Sequence, residues 1–187
     1  MEELVTGIDL LLEEHKALEA VMDALEGAAR RLRDGETVPP GTLEDIFLFC
    51  RRFTDGCHHV HEEDILFPAL AAHGLTPDMT PMSALAAQHE SGRAFLSELQ
   101  DAYGRFTEGD DCARQDVYVL AREYVGMLRE HIWIENHYFR SPAAQALTAE
   151  EDARLATAIL SCQNGGSSER QRFLDLAERH RQLVSSW

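Results

Sequence analysis

The sequence is poor in basic residues. Lys16 is its only lysine, and 17 bases stand against 33 acids in 187 residues, for a formal net charge of -16. A surface this acidic repels phosphate backbones and anionic lipid, which argues against nucleic-acid and membrane partners. It draws cations loosely everywhere, so charge alone marks no metal site. Nothing approaches the roughly 18 consecutive apolar residues of a membrane span. The opening MEEL is acidic where a secretory signal is basic, so a cytoplasmic protein is expected. Cysteine is sparse as well: Cys50, Cys57, Cys112 and Cys162 include no Cys-x-x-Cys pair, which excludes a zinc ribbon or thioredoxin motif. On one helix Cys50 and Cys57 would lie ~10 Å apart, beyond disulfide reach. Reduced, packed thiols are expected.

Strand-like alternation is missing too. What is there reads as helix. IDLLLEEHKALEAVMDALEGAARRL repeats apolar residues at intervals of three and four, the helical period, and GETVPPG breaks it. A second helix is expected from Thr42, as N-cap, through Gly56 toward Pro68 and on to His73. A third spans roughly Met82 to Arg105 and a fourth roughly Arg114 to Phe139, with Pro142 past its end. Two shorter ones follow, TAEEDARLATAILSC with Thr148 as N-cap and SERQRFLDLAERHRQLV, across a QNGGSS linker. The expected fold is all-α: an up-down-up-down four-helix bundle over residues 1–145, with two additional C-terminal helices over 146–187 packed on it.

An internal repeat points at chemistry. LLEEHKALEAVMDAL aligns with LAAQHESGRAFLSEL, and HHVHEEDIL aligns with HIWIENHYF. His15 precedes His58 by 43 positions, and His89 precedes His131 by 42. Each half thus supplies a lone histidine and then a His-x-x-x-Glu, His58 with Glu62 and His131 with Glu135. Residues i and i+4 share a helix face, so each pair can aim two donors at one spot. Folding the halves together about a pseudo-twofold axis brings His15, His58, Glu62, His89, His131 and Glu135 to one centre. That is more than one small ion needs, and two ions bridged by the carboxylates fit better. Imidazole and carboxylate without thiolate suit Fe or Mn, with Zn as a further option. Isolated buried histidines and carboxylates would be costly, and coordination removes that cost.

Other signatures fail. There is no His-Glu-x-x-His, since His61-Glu62 leads to Ile65 and His89-Glu90 to Arg93. A ferritin-like site needs Glu-x-x-His on two helices, but Asp55 and Leu128 stand three before His58 and His131. No Ser-His-Asp set or glycine-rich phosphate loop appears. His59 and Glu63 form a second i,i+4 pair turned ~100° from the first, and would be ligands only if the helical register differed. Glu63 is then left to hold an imidazole N–H or to face solvent. His61 and His137 are expected at the rim, His73 and His180 at helix ends or the surface, and Tyr124 in the core. Phe47, Phe49, Phe53, Phe67, Phe95 and Trp133 read as packing.

With EEH at His15, CHHVHEEDILFPAL at 57–70, LAAQHESGR at 85–93 and LREHIWIENHYF at 128–139, the chain resembles the hemerythrin-like, or HHE cation-binding, family over roughly residues 8–142. The resemblance implies a bundle with a non-haem di-iron centre, His15, His58, Glu62, His89, His131 and Glu135 as its ligands, the glutamates bridging, and room for an oxo or hydroxo bridge. Oxygen-carrying members have a further histidine where Arg93 stands and a His-x-x-x-x-Asp pattern in the last helix. The four-His, two-Glu set is similar instead to bacterial members linked to nitric oxide, peroxide or iron handling. The implied function is binding of, or reaction with, O2, NO or peroxide in sensing, detoxification or stress response. The alternative is an iron-storing or iron-sensing module whose C-terminal helices meet a protein partner.

Overall fold

The computed structural model describes residues 5–161 and 167–187. It is all-α. Helix α1 is Gly7–Arg33. Helix α2 is a rod over residues 42–72 in which α-helical Thr42–Phe49, His59–His61 and Phe67–Ala72 alternate with π-helical Cys50–His58 and Glu62–Leu66. Helix α3 is Met82–Thr107 and α4 is Ala113–Tyr138, the latter running on through a π-helical turn at Phe139–Ala143. Helices α5, Ala149–Ser161, and α6, Ser167–Val184, complete the described chain.

Local chemistry sets several of these ends. Thr6 caps α1, and Asp9 returns the bond to the Thr6 N–H, a capping box that satisfies two orphan donors. Thr148 and Glu151 make the same exchange before α5. Thr42 does not cap α2. Gly41 takes the cap position with φ of 84°, which glycine adopts without strain, and the Thr42 hydroxyl donates to the Pro39 carbonyl instead. Pro142 does not lie past the fourth helix either. It cannot donate a helical hydrogen bond, and it sits inside the π-helical turn that extends α4. The QNGGSS stretch falls mostly outside the described residues.

The apolar residues form two clusters rather than one, and these reveal the topology. Along α1 the chain passes from Ile8 and Leu11 in one cluster to Leu18 through Ala29 in the other. Along α2 the order reverses, from Leu43 through Phe53 to Leu66 and Leu70. It reverses again along α3, Leu85 before Leu96 and Leu99, and again along α4, Leu128 before Phe139. Four helices that alternate in this way run up, down, up and down. Each of these four helices crosses from one cluster to the other at or next to its histidine.

The C-terminal helices pack on α1. Phe173, Leu176 and Ala177 of α6 join the larger cluster, and Leu155 and Ile159 of α5 join the smaller. Asp152 of α5 accepts from the Gly7 amide at 3.0 Å, so it also serves the start of α1. No helix of the described residues is long and apolar enough to cross a membrane. Cys50 is a buried free thiol and Cys112 an exposed one, but Cys57 is disulfide-bonded, which corrects the expectation of reduced thiols. Trp133 is not packing, being 61% exposed, with its ring tilted against that of exposed His137. His180 is buried rather than on the surface.

Gly7 lets α5 approach closely. A Cβ there would meet the Asp152 carbonyl oxygen at 2.8 Å and the Ala156 nitrogen at 2.9 Å, both backbone atoms that cannot swing aside. Gly7→Val is expected to cost about 1–3 kcal/mol. The readout is thermal unfolding, with Tm falling roughly 2–4 °C per kcal/mol for a chain of this size.

Candidate metal centre

Between the two apolar clusters lies a polar layer. His15 comes from α1, His58 and Glu62 from α2, His89 from α3, and His131 and Glu135 from α4, each no more than 1% exposed. The structure therefore brings all six sequence-predicted donors to one place. Helical spacing accounts for the local aim. His58 Nε2 lies 3.6 Å from Glu62 Oε1, and His131 Nε2 lies 2.9 Å from Glu135 Oε1, both across one turn. The halves then cross-connect, His15 Nε2 to Glu135 Oε2 at 3.2 Å and His89 Nε2 to Glu62 Oε2 at 3.3 Å.

The outer side of each ring is held. His58 Nδ1 donates to Glu14 at 3.0 Å and His89 Nδ1 to Glu63 at 2.7 Å. His15 Nδ1 donates to the Asn136 side-chain oxygen at 3.0 Å, and His131 Nδ1 to that of Gln88 at 3.1 Å. A carboxylate can only accept, so the proton sits on Nδ1 and a lone pair faces inward at Nε2. Outer oxygens that fix ring and tautomer in this way are typical of metal-binding histidines. Glu14 is itself buried and accepts from Arg170 Nε of α6 at 2.8 Å. Burial pushes the Glu14 carboxyl up, but its hydrogen bonds to His58 and Arg170 and the Arg170 charge act the other way, and the carboxyl lies below its ordinary range.

On the inner side hydrogen bonds are missing. The Nε2 atoms of His15 and His58 and all four oxygens of Glu62 and Glu135 are buried and make no hydrogen bond. His89 Nε2 and His131 Nε2 sit 3.1 Å apart, lone pair toward lone pair. Orphaned buried acceptors of this kind cost free energy unless something positive lies among them. The donors sort into overlapping groups. His15, His58, Glu62 and Glu135 offer atoms within 4.8 Å of one another, and so do Glu62, His89, His131 and Glu135. Both carboxylates belong to both groups. The residues present thus fit metal cations, and their nitrogen–oxygen character suits iron or manganese.

Several neighbours were not legible in the sequence. Glu14, Gln88, Asn136 and Arg170 carry no signature, because hydrogen bonding to a ring edge demands only an oxygen at the right distance. His61 is buried with neither ring nitrogen partnered, against its expected place at the rim. His59 is buried as well, and one of its nitrogens joins His89 and His131 in a third group. Tyr124 lies in the larger core with its hydroxyl against the Cys50 thiol, in none of these groups. Arg93 reaches Glu90 and Glu63, not the centre. His137 donates to the Trp133 carbonyl on the surface.

Comparison with known proteins agrees with this geometry. Uncharacterized proteins of Mycobacterium tuberculosis and Mycobacterium bovis are each 28% identical over 127 residues, 68% of this chain. The chain spans about half, 49%, of the length of these curated relatives. No solved structure matches. The sequence profile of the hemerythrin HHE cation binding domain matches residues 6–140, the stretch that supplies every helix of the polar layer, and the chain belongs to that family.

Proposed function

We propose that the protein is a non-haem di-iron protein that binds or reacts with O2, NO or peroxide. The observation that supports this is the sharing of Glu62 and Glu135 between two four-donor groups. A single ion would not use both groups, whereas two ions about 3–4 Å apart would each take one, with the carboxylates between them. Iron bound there supplies one-electron redox chemistry and an open position for a small ligand. The chain's own part is to hold six donors rigidly and exclude bulk water. The apolar clusters above and below the layer do the second, and the lowered local dielectric strengthens each contact inside. The His15, His58, His89 and His131 rings would bind through Nε2, while their Nδ1–H groups go on donating to Asn136, Glu14, Glu63 and Gln88, respectively.

A second reading is favoured by Arg170. This residue lies beyond the family match, yet its guanidinium reaches Glu14, which holds His58. An iron-sensing role would use that chain of contacts to couple occupancy of the centre to the seating of α6 for a protein partner.

Anaerobic loading with ferrous iron, followed by elemental analysis, tests the first reading. Wild type is expected to retain two irons per chain, and His58→Ala and His131→Ala each fewer than two. Two irons retained in both variants defeats the assignment, and absorption spectra on adding O2, NO or peroxide then distinguish the ligand. Hydrogen exchange tests the second. Iron is expected to slow exchange across Ser167–Val184 in wild type and not in Arg170→Met. Equal exchange with and without iron rules the relay out.

A further inference from the structure

His59 follows His58 directly. In an α-helix it would be turned by about 100° and carried off the face that His58 and Glu62 share. It is instead 1% exposed. Its Nδ1 lies 3.0 Å from Asp55 Oδ1, and because a carboxylate only accepts, the proton is on Nδ1. Its Nε2 is buried with no hydrogen-bond partner. The ring stacks on that of His89, with centroids 3.9 Å apart and planes 14° apart. One ring nitrogen each of His59, His89 and His131 falls within 4.8 Å of the others. His15 and His58 have the same arrangement, outer nitrogen on an oxygen and inner nitrogen without a hydrogen bond, and the near-parallel His59 and His89 rings would have to turn apart for both lone pairs to reach one ion.

The backbone explains how two consecutive residues turn inward. Cys50–His58 and Glu62–Leu66 are π-helical. A π turn closes its bonds from i to i+5, so it holds more residues per turn and rotates each by less than an α-helix does. Neighbouring side chains then diverge less, and His58 and His59 both face the layer. Gly56 suits the wide turn, since a Cβ there would lie 3.2 Å from the Arg51 carbonyl oxygen, five residues back. The donor count then becomes unequal. Each carboxylate-bridged group holds two histidines, and His59 joins only the one with His89 and His131.

We propose that His59 is a seventh protein ligand, binding through Nε2 to the ion that His89 and His131 hold. The proposal rests on the two-iron reading above and deepens it. The two ions are then inequivalent, with three imidazoles on one and two on the other.

The test compares wild type, His59→Leu and His59→Gln, loaded anaerobically with ferrous iron, desalted and counted for iron, with far-UV circular dichroism as the check on folding. Wild type should retain two irons, and a folded His59→Leu one, its second iron bound at least about tenfold more weakly. His59→Gln keeps a polar side chain beside Asp55 and should lose the same iron, and it decides the matter if the leucine variant does not fold. Two irons at wild-type affinity in either folded variant overturn the proposal and leave His59 a structural residue. Fewer than two irons in wild type would instead defeat the two-iron reading.

Discussion

The fold is organised around unpaired lone pairs buried in the middle of a helical bundle. Glu62 and Glu135 are completely buried, no hydrogen bond reaches their oxygens, and imidazole nitrogens surround them. Nothing in an apolar core gains from such a layer, and an uncompensated carboxylate there opposes folding. The bundle tolerates it because apolar clusters on both sides hold the helices together. Leu18, Val21, Leu25, Phe49 and Phe53 pack on one side, and Leu11, Leu66, Leu70, Leu85 and Phe139 on the other. Burial of such side chains contributes about 1.5–3 kcal/mol each. Donor geometry is thus supported by apolar packing on both sides of the layer.

Much of this was legible in the sequence, because two periods are superimposed in it. The apolar period of three to four gives the helices. The repetition of His, then His-x-x-x-Glu, gives the register of the halves, since i,i+4 spacing survives folding almost unchanged in α4 and across the π turns of α2. His15 and His89 were found only by their matched distance from the other pair. The outer oxygens were not found, for a physical reason. Glu14 lies beside His15 in sequence but serves His58, and Gln88 lies beside His89 but serves His131. Such contacts cross between helices, and no spacing within one helix encodes them. Arg170 is further still, from a helix that the repeat does not include.

The C-terminal helices are tied to the centre as well as to the core. Phe173 lies against Phe49 and Phe53, which places Arg170, one turn earlier, over the start of the polar layer. Its contact with Glu14 gives a buried carboxylate a positive partner, and such pairs are costly to break from either side. A proton or metal on His58 therefore acts on the same carboxylate as the seating of α6. Whatever moves that helix changes the charge facing one half of the centre only, because His15, His89 and His131 rest on neutral amides or on Glu63.

The departure from helical expectation is confined to α2, and this bears on the asymmetry. His58 and Glu62 of α2 align with His131 and Glu135 of α4, but α4 keeps α-helical geometry through that pair while α2 changes to π turns on either side of His59–His61. π turns are rare in helices and are frequent at functional sites. The residue after His131 is Ile132, buried among the core side chains, whereas the residue after His58 is His59, turned toward His89. A strictly repeated chain would have given two equivalent halves. The widened turn in one helix breaks that equivalence: His59 of α2 lies against His89, while Arg93 of α3 pairs with Glu63.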